Sequence, residues 1–185
     1  MNSDADISPK DWDLVIRPRH LLLVVTAGRE TEKITGLIAV LARRGPLQLV
    51  AGSEWLPAYG LARLLRQSTV EVKQTLERVR LARAFTCYQL LDLLAGVRPD
   101  PEPLLVLNFL HNFYSPDIPL PVRLRVLDQC RQHLQRLSAC KPVAVMIQEA
   151  PAAEYRQFHA LLACIADEIL QTGAGQDELS QPALF

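Results

Sequence analysis

Short apolar runs recur along this chain, each separated from the next by a stretch whose apolar residues fall every three or four positions. A run such as His20–Ala27 (HLLLVVTA) is too short for a stable buried helix. It is also apolar at consecutive positions, so both faces must be covered. The same reading makes strands of Pro46–Ala51, Arg78–Phe85, Leu104–Phe109, Pro142–Ile147 and Ala166–Gln171. Between them, Thr31–Arg44 carries Ile34, Leu37, Ile38 and Leu41 at helical spacing, and Gly45 follows as a stop. Leu56–Gln67, with Leu61, Leu64 and Leu65 on one side, is a second helix, and Val70–Glu77 a short third. Cys87–Leu94, Val122–Leu137 and Ala152–Ala163 complete the set. In the long Val122–Leu137 helix, Leu124, Leu127, Leu134 and Leu137 are expected to face inward, and Arg125, Gln129, Gln132 and Arg136 outward. Strands alternating with helices predict an α/β fold, a mainly parallel sheet with helices on both faces. The folded domain is expected over residues 20–172, after a lead-in at 1–19 punctuated by Pro9 and Pro18, with 173–185 a polar, flexible tail.

Charge and composition narrow the function. Lysine plus arginine and aspartate plus glutamate are 20 each, so the chain lacks the overall basic charge of a strong nucleic-acid binder. No apolar run approaches the roughly 20 residues that cross a bilayer, so no membrane partner is expected. The first residues, MNSDADISPKDWD, are acidic and polar, and read as neither a signal nor a transit peptide. Cys87, Cys130, Cys140 and Cys164 form no close pair and sit among apolar neighbours. They are expected to be reduced, mostly buried thiols in a cytoplasmic protein. The four histidines show no metal-ligand spacing. No metal and no cofactor is assigned.

In a parallel α/β sheet, ligands bind at the carboxyl ends of the strands. The first strand runs into TAGRETEKIT (Thr26–Thr35). A phosphate-binding loop, G-x-x-x-x-G-K-[ST], would need glycines where Ala27 and Glu32 stand, and a hydroxyl where Ile34 stands. Glu32 would oppose phosphate oxygens, and Ile34 has no oxygen for a metal. In the fourth strand, LLVLNF, Asn108 stands where enzymes of this kind carry an aspartate that orients magnesium; an amide adds no negative charge.

The run RVRLARAFTCYQLLDLL (Arg78–Leu94) resembles the segment of RecA-type recombinases in which a strand ending A-R-A-[FY] precedes a helix beginning near a glutamine. LLVLNFL, the long helix and PVAVMIQE follow in that family's order and spacing. The resemblance covers about residues 20–172 and implies a RecA-like ATPase core. Position by position, it makes Lys33 the counterpart of the phosphate-loop lysine and Glu54 that of the water-activating glutamate. Asn108 replaces the magnesium-orienting aspartate, and Gln148 matches the nucleotide-sensing polar residue. Lys33, Glu54, Asn108 and Gln148 would then be a remnant nucleotide pocket in a pseudo-ATPase without a working phosphate loop. On its own, Glu54 reads equally as a carboxylate at a helix N-terminus. The short, largely helical stretch between the last two strands leaves little room for the family's DNA-binding loop.

The last five residues, QPALF, resemble the bacterial sliding-clamp-binding motif Q-x-x-L-F. Leu184 and Phe185 would fill an apolar pocket and the Gln181 amide would fix register; the alternative is that both apolar residues fold back as a latch. With the core, this tail is similar to the RecA-like accessory proteins of mutagenic translesion cassettes, the ImuA type. That implies a non-catalytic adaptor in DNA repair or translesion synthesis. Its tail would meet the clamp, and its core a RecA-family protein or a translesion polymerase subunit. Two other readings stand beside it. One is an ATP-binding recombinase paralogue with an atypical phosphate loop. The other is a DNA-binding module using Arg17, Arg19, Arg43 and Arg44 or the outward arginines of the long helix.

Overall fold

The computed structural model describes residues 16–27, 31–52 and 58–172. Six strands, β1 (Leu21–Thr26), β2 (Leu47–Ala51), β3 (Val79–Arg83), β4 (Leu104–Leu107), β5 (Val143–Gln148) and β6 (Glu168–Thr172), form one sheet. Its order is β3-β2-β4-β5-β1-β6, and every pairing is parallel. The helices are α1 (Thr31–Arg44), α2 (Ala58–Ser68), α3 (Val72–Glu77), α4 (Cys87–Gly96), α5 (Leu120–Ser138) and α6 (Arg156–Ala163). This is the expected α/β architecture, and it is consistent with a RecA-like core.

The strand order explains the two helical layers. From β1 to β2 to β3 the chain moves toward one edge of the sheet; from β3 through β4 and β5 to β6 it moves back. Parallel crossovers are right-handed, so reversing direction puts the connecting helices on the opposite face. α1, α2 and α3 accordingly pack with Leu22, Val24, Leu49, Leu105 and Met146. α4, α5 and α6 pack with Leu21, Leu23, Val50, Val106 and Val145. Successive residues of each strand thus serve alternate cores, which is why the central strands are apolar throughout. At three places, between β3 and β2, between β2 and β4 and between β5 and β1, neighbouring strands lead to opposite faces. Those are the crevices in which such sheets hold ligands.

Some local expectations change. The strand expected to reach Phe109 stops at Leu107, because Asn108 turns left-handed (φ 50°) and starts a 3-10 helix, Phe109–Phe113. That turn drives Phe109 and Phe113 into the core, with ring centroids 5.5 Å apart. Arg78 and Phe85 lie just outside β3. Ala153–Tyr155 is a 3-10 turn leading into α6. Leu124 of α5 is only half-buried, whereas Val126 and Cys130 join Leu127, Leu134 and Leu137 inside. Cys87 and Cys130 are buried, but Cys140 and Cys164 are exposed, against the expectation of mostly buried thiols. Burial pushes the Cys87 thiol up and the Cys130 thiol up to about 12. No described helix is long and apolar enough to cross a membrane.

Candidate functional site

The carboxyl rim of the sheet gathers most of the expected pocket. Thr26 ends β1 directly opposite Gln148, which ends β5. Around them the backbone is already engaged: Glu149 N donates to Thr26 O (2.9 Å), and Ala27 N donates to Thr172 O (3.1 Å). The Thr26 hydroxyl donates to Ile147 O at 3.4 Å. Lys33 lies half-buried in the first turn of α1, after exposed Glu32. Ile34 is 7% exposed and packs in the apolar core beneath α1. The neighbouring Thr35 hydroxyl is turned back on the helix and donates to Thr31 O at 2.6 Å. The position where a hydroxyl would meet a metal is therefore an apolar core position. Glu54, Gln181, Leu184 and Phe185 lie outside the described residues.

At the second crevice, between β2 and β4, the described backbone segments approach each other closely. Gly52 N donates to Leu107 O (2.8 Å), and Ala84 N donates to Ala51 O (2.8 Å). A Cβ on Gly52 would stand 2.4 Å from the Asn108 carbonyl oxygen, so only glycine lets these two loops approach. The Asn108 carbonyl in turn accepts from His111 N at 3.1 Å. Buried Asn112 donates its side-chain N–H to Ala84 O at 3.1 Å and ties the end of β3 to the turn after β4. Asparagine tolerates the left-handed backbone at Asn108. Beyond β4, the Tyr114 hydroxyl lies 2.9 Å from His159 Nε2, joining the loop after β4 to α6. Burial holds the His159 imidazole below its ordinary value, opposed by nearby Glu149. Among the described residues, no group of three or more His, Cys, Asp or Glu side chains is placed to hold a metal ion.

A different surface is open. Among the described residues β3 pairs only with β2. Leu47 N donates to Arg78 O, and Ala84 N to Ala51 O, so Arg78, Arg80, Ala82 and Ala84 turn their backbone groups inward. By the alternation of a parallel ladder, Val79, Leu81 and Arg83 present theirs outward. Beside this edge, between β3 and α4, runs a groove of about 440 Å³ lined by Gln48, Arg80, Ala82, Leu93, Val97 and Arg98 among others. At the carboxyl end of β3, Phe85 and Tyr88 are 62% and 47% exposed. The Thr86 hydroxyl caps α4 by accepting from Gln89 N, and the Gln89 side chain accepts from Phe85 N, so this turn is fixed.

Sequence reasoning placed Lys33, Asn108 and Gln148 on one rim, as found, but did not anticipate Gly52, Asn112 or the β3 groove. The edge position of β3 had a signal. Among the described strands it alone carries arginines, Arg80 and Arg83, which a strand covered on both faces would not accommodate. The chain matches no family model and no curated protein.

Proposed function

We propose that this chain is a non-catalytic, RecA-like adaptor in bacterial DNA repair or translesion synthesis. Its core holds a RecA-family protein or a translesion polymerase subunit, and its tail holds the sliding clamp. The observation that carries the reading is the contrast between a filled nucleotide rim and an open edge. Ile34 packs in the core, and Asn108 sits in a left-handed turn against Gly52. Meanwhile β3 offers outward backbone groups beside a groove, a surface suited to an added strand. Lys33 and Gln148 remain where a nucleotide would lie, but a hydroxyl and an acid are missing at the two positions that handle the metal.

The test uses the full chain on an immobilised bacterial sliding clamp. Leu184→Ala and Phe185→Ala are expected to abolish binding that the parent chain shows at micromolar level. Clamp binding unchanged by both substitutions would sink the tail assignment. In the same preparation, ATP with magnesium should leave the melting temperature unmoved; ligand at 100 times its dissociation constant would add about 2.7 kcal/mol. A clear upward shift would restore the ATP-binding reading. For the core, Arg83→Pro, with Arg83→Ala as the control for the lost guanidinium, removes an outward-facing N–H and is expected to weaken capture of a RecA-family recombinase without changing the fold.

A further inference from the structure

A connected polar network runs under the β3 groove. The Lys141 side chain is fully buried, and its ammonium meets Asp100 Oδ1 at 2.7 Å, the Arg98 carbonyl at 3.0 Å and Gln48 Oε1 at 3.4 Å. The Gln48 amide N–H donates to Asp100 (3.2 Å) and to Glu102 (3.1 Å). Glu102 also pairs with Arg80, whose side chain is 54% exposed on the groove wall.

Two consequences follow from this wiring. First, the wall bearing Arg98 is fixed from below, because a buried ammonium grips its carbonyl. The Arg98 side chain, itself exposed, therefore leaves the wall at a set place. Second, Arg80 can change partners at little cost. If another carboxylate takes its guanidinium, Glu102 keeps the Gln48 amide and is not left buried and alone. Around the groove stand Arg80 and Arg98 against Asp92.

Resting on the docking role of β3 above, we propose that this groove selects an extended, acidic segment of the partner, whose carboxylate replaces Glu102 on Arg80 and meets Arg98. Arg80 and Arg98 are then its specificity-determining residues. A segment carrying lysine at the same place would meet two guanidiniums and be repelled.

The probes are short, labelled peptides in which valine alternates with glutamate, with lysine or with serine, titrated onto the full chain by fluorescence anisotropy. The glutamate peptide is expected to bind at least about tenfold more tightly than the other two, with the advantage shrinking between about 50 and about 300 mM salt. Arg80→Glu with Arg98→Glu should reverse the preference toward the lysine peptide. Arg98→Glu alone, which leaves the network under the groove intact, should reduce the glutamate preference even if the double variant does not fold. Equal binding of all three peptides, lost in Arg83→Pro, would overturn acid selection while leaving strand docking in place. Failure of every peptide to bind would overturn both.

Discussion

At the carboxyl rim of this sheet, where α/β folds place their chemistry, the chain has installed neutral contacts. They are a glycine against a carbonyl, an asparagine bridging two loops, a tyrosine on a neutral histidine, and an isoleucine in the core. At the opposite rim, the polar groups are charged and joined: Lys141, Asp100, Gln48, Glu102 and Arg80. The difference shows how each rim is held. A rim closed by backbone packing needs small or turn-forming residues and has no tolerance for a larger side chain. A rim closed by buried charge depends on every partner being present, because an ammonium or carboxylate out of water is stable only when paired. On the function proposed above, the first arrangement replaces a ligand site; the second supports a surface from beneath.

The largest effect should come from breaking the charged rim. Lys141→Met removes the ammonium from Asp100, Gln48 and the Arg98 carbonyl at once. Breaking a buried pair from one side typically costs about 3–5 kcal/mol, reduced here because Asp100 keeps 28% exposure to water. Urea denaturation should show a loss of about 3 kcal/mol. A loss below about 1 kcal/mol would mean that the network contributes little and that the groove wall is held some other way.

The neutral rim should break next, and by sterics alone. Gly52→Ala puts a methyl 2.4 Å from the Asn108 carbonyl, which is backbone and cannot swing aside. Overpacking of this kind costs about 1–3 kcal/mol. Gly45→Ala, with nothing within 4 Å of its added Cβ, is the matched control and should leave stability nearly unchanged. Equal effects from the two would show that the Gly52–Asn108 approach does not close the crevice.

Ile34→Thr with Asn108→Asp restores a hydroxyl and an acid at the two positions where the resemblance expects them. The pair should still give no ATP-induced rise in melting temperature. It should itself cost about 1–2 kcal/mol, because a hydroxyl enters an apolar core. A rise in melting temperature with ATP and magnesium would show that the rim is closed by residue identity alone and not by its packing.

How much of this could be read beforehand depends on what the residues had to do. The six strands and six helices were legible because burial on both sheet faces writes itself as consecutive apolar residues, and a helix with one buried face as every third or fourth. The end of β4 was not, since the apolar LLVLNFL continues through a left-handed residue, and Phe109 is buried whether it belongs to a strand or to a 3-10 turn. On the carboxyl rim, Lys33, Asn108 and Gln148 were singled out by the resemblance, position by position. Gly52 and Asn112 were not, because a close approach between two loops leaves no periodic trace. Lys141 was equally silent: one lysine before a proline looks like any solvated residue until Asp100 and Gln48, 41 and 93 residues away in sequence, are brought to it.

The smallest predicted effect separates the rims by pH. His159 is held neutral by burial, with Glu149 opposing, so its folded value lies below the ordinary 6.5. The groups around it are Tyr114 after β4, Glu149 after β5, Tyr155 in the turn before α6, and Arg123 of α5, which lies over the neighbouring Phe158 ring. A histidine with a lowered folded value binds fewer protons folded than unfolded. It therefore takes nothing from stability above pH 6.5, and stability falls as the pH drops from 6.5 toward the folded value. Protonation also leaves both ring nitrogens as donors, so Nε2 can then only donate to the Tyr114 hydroxyl. His159→Gln, whose amide can still hydrogen-bond the Tyr114 hydroxyl, should lose this component and show a shallower fall in melting temperature over the same acidic interval. Carboxylates elsewhere titrate in both proteins alike, so the difference between the two curves isolates the carboxyl rim. Parallel curves would mean that the tyrosine–histidine contact does not help hold the loops after β4 and β5 together, and that the neutral rim rests on Gly52 and Asn112 alone.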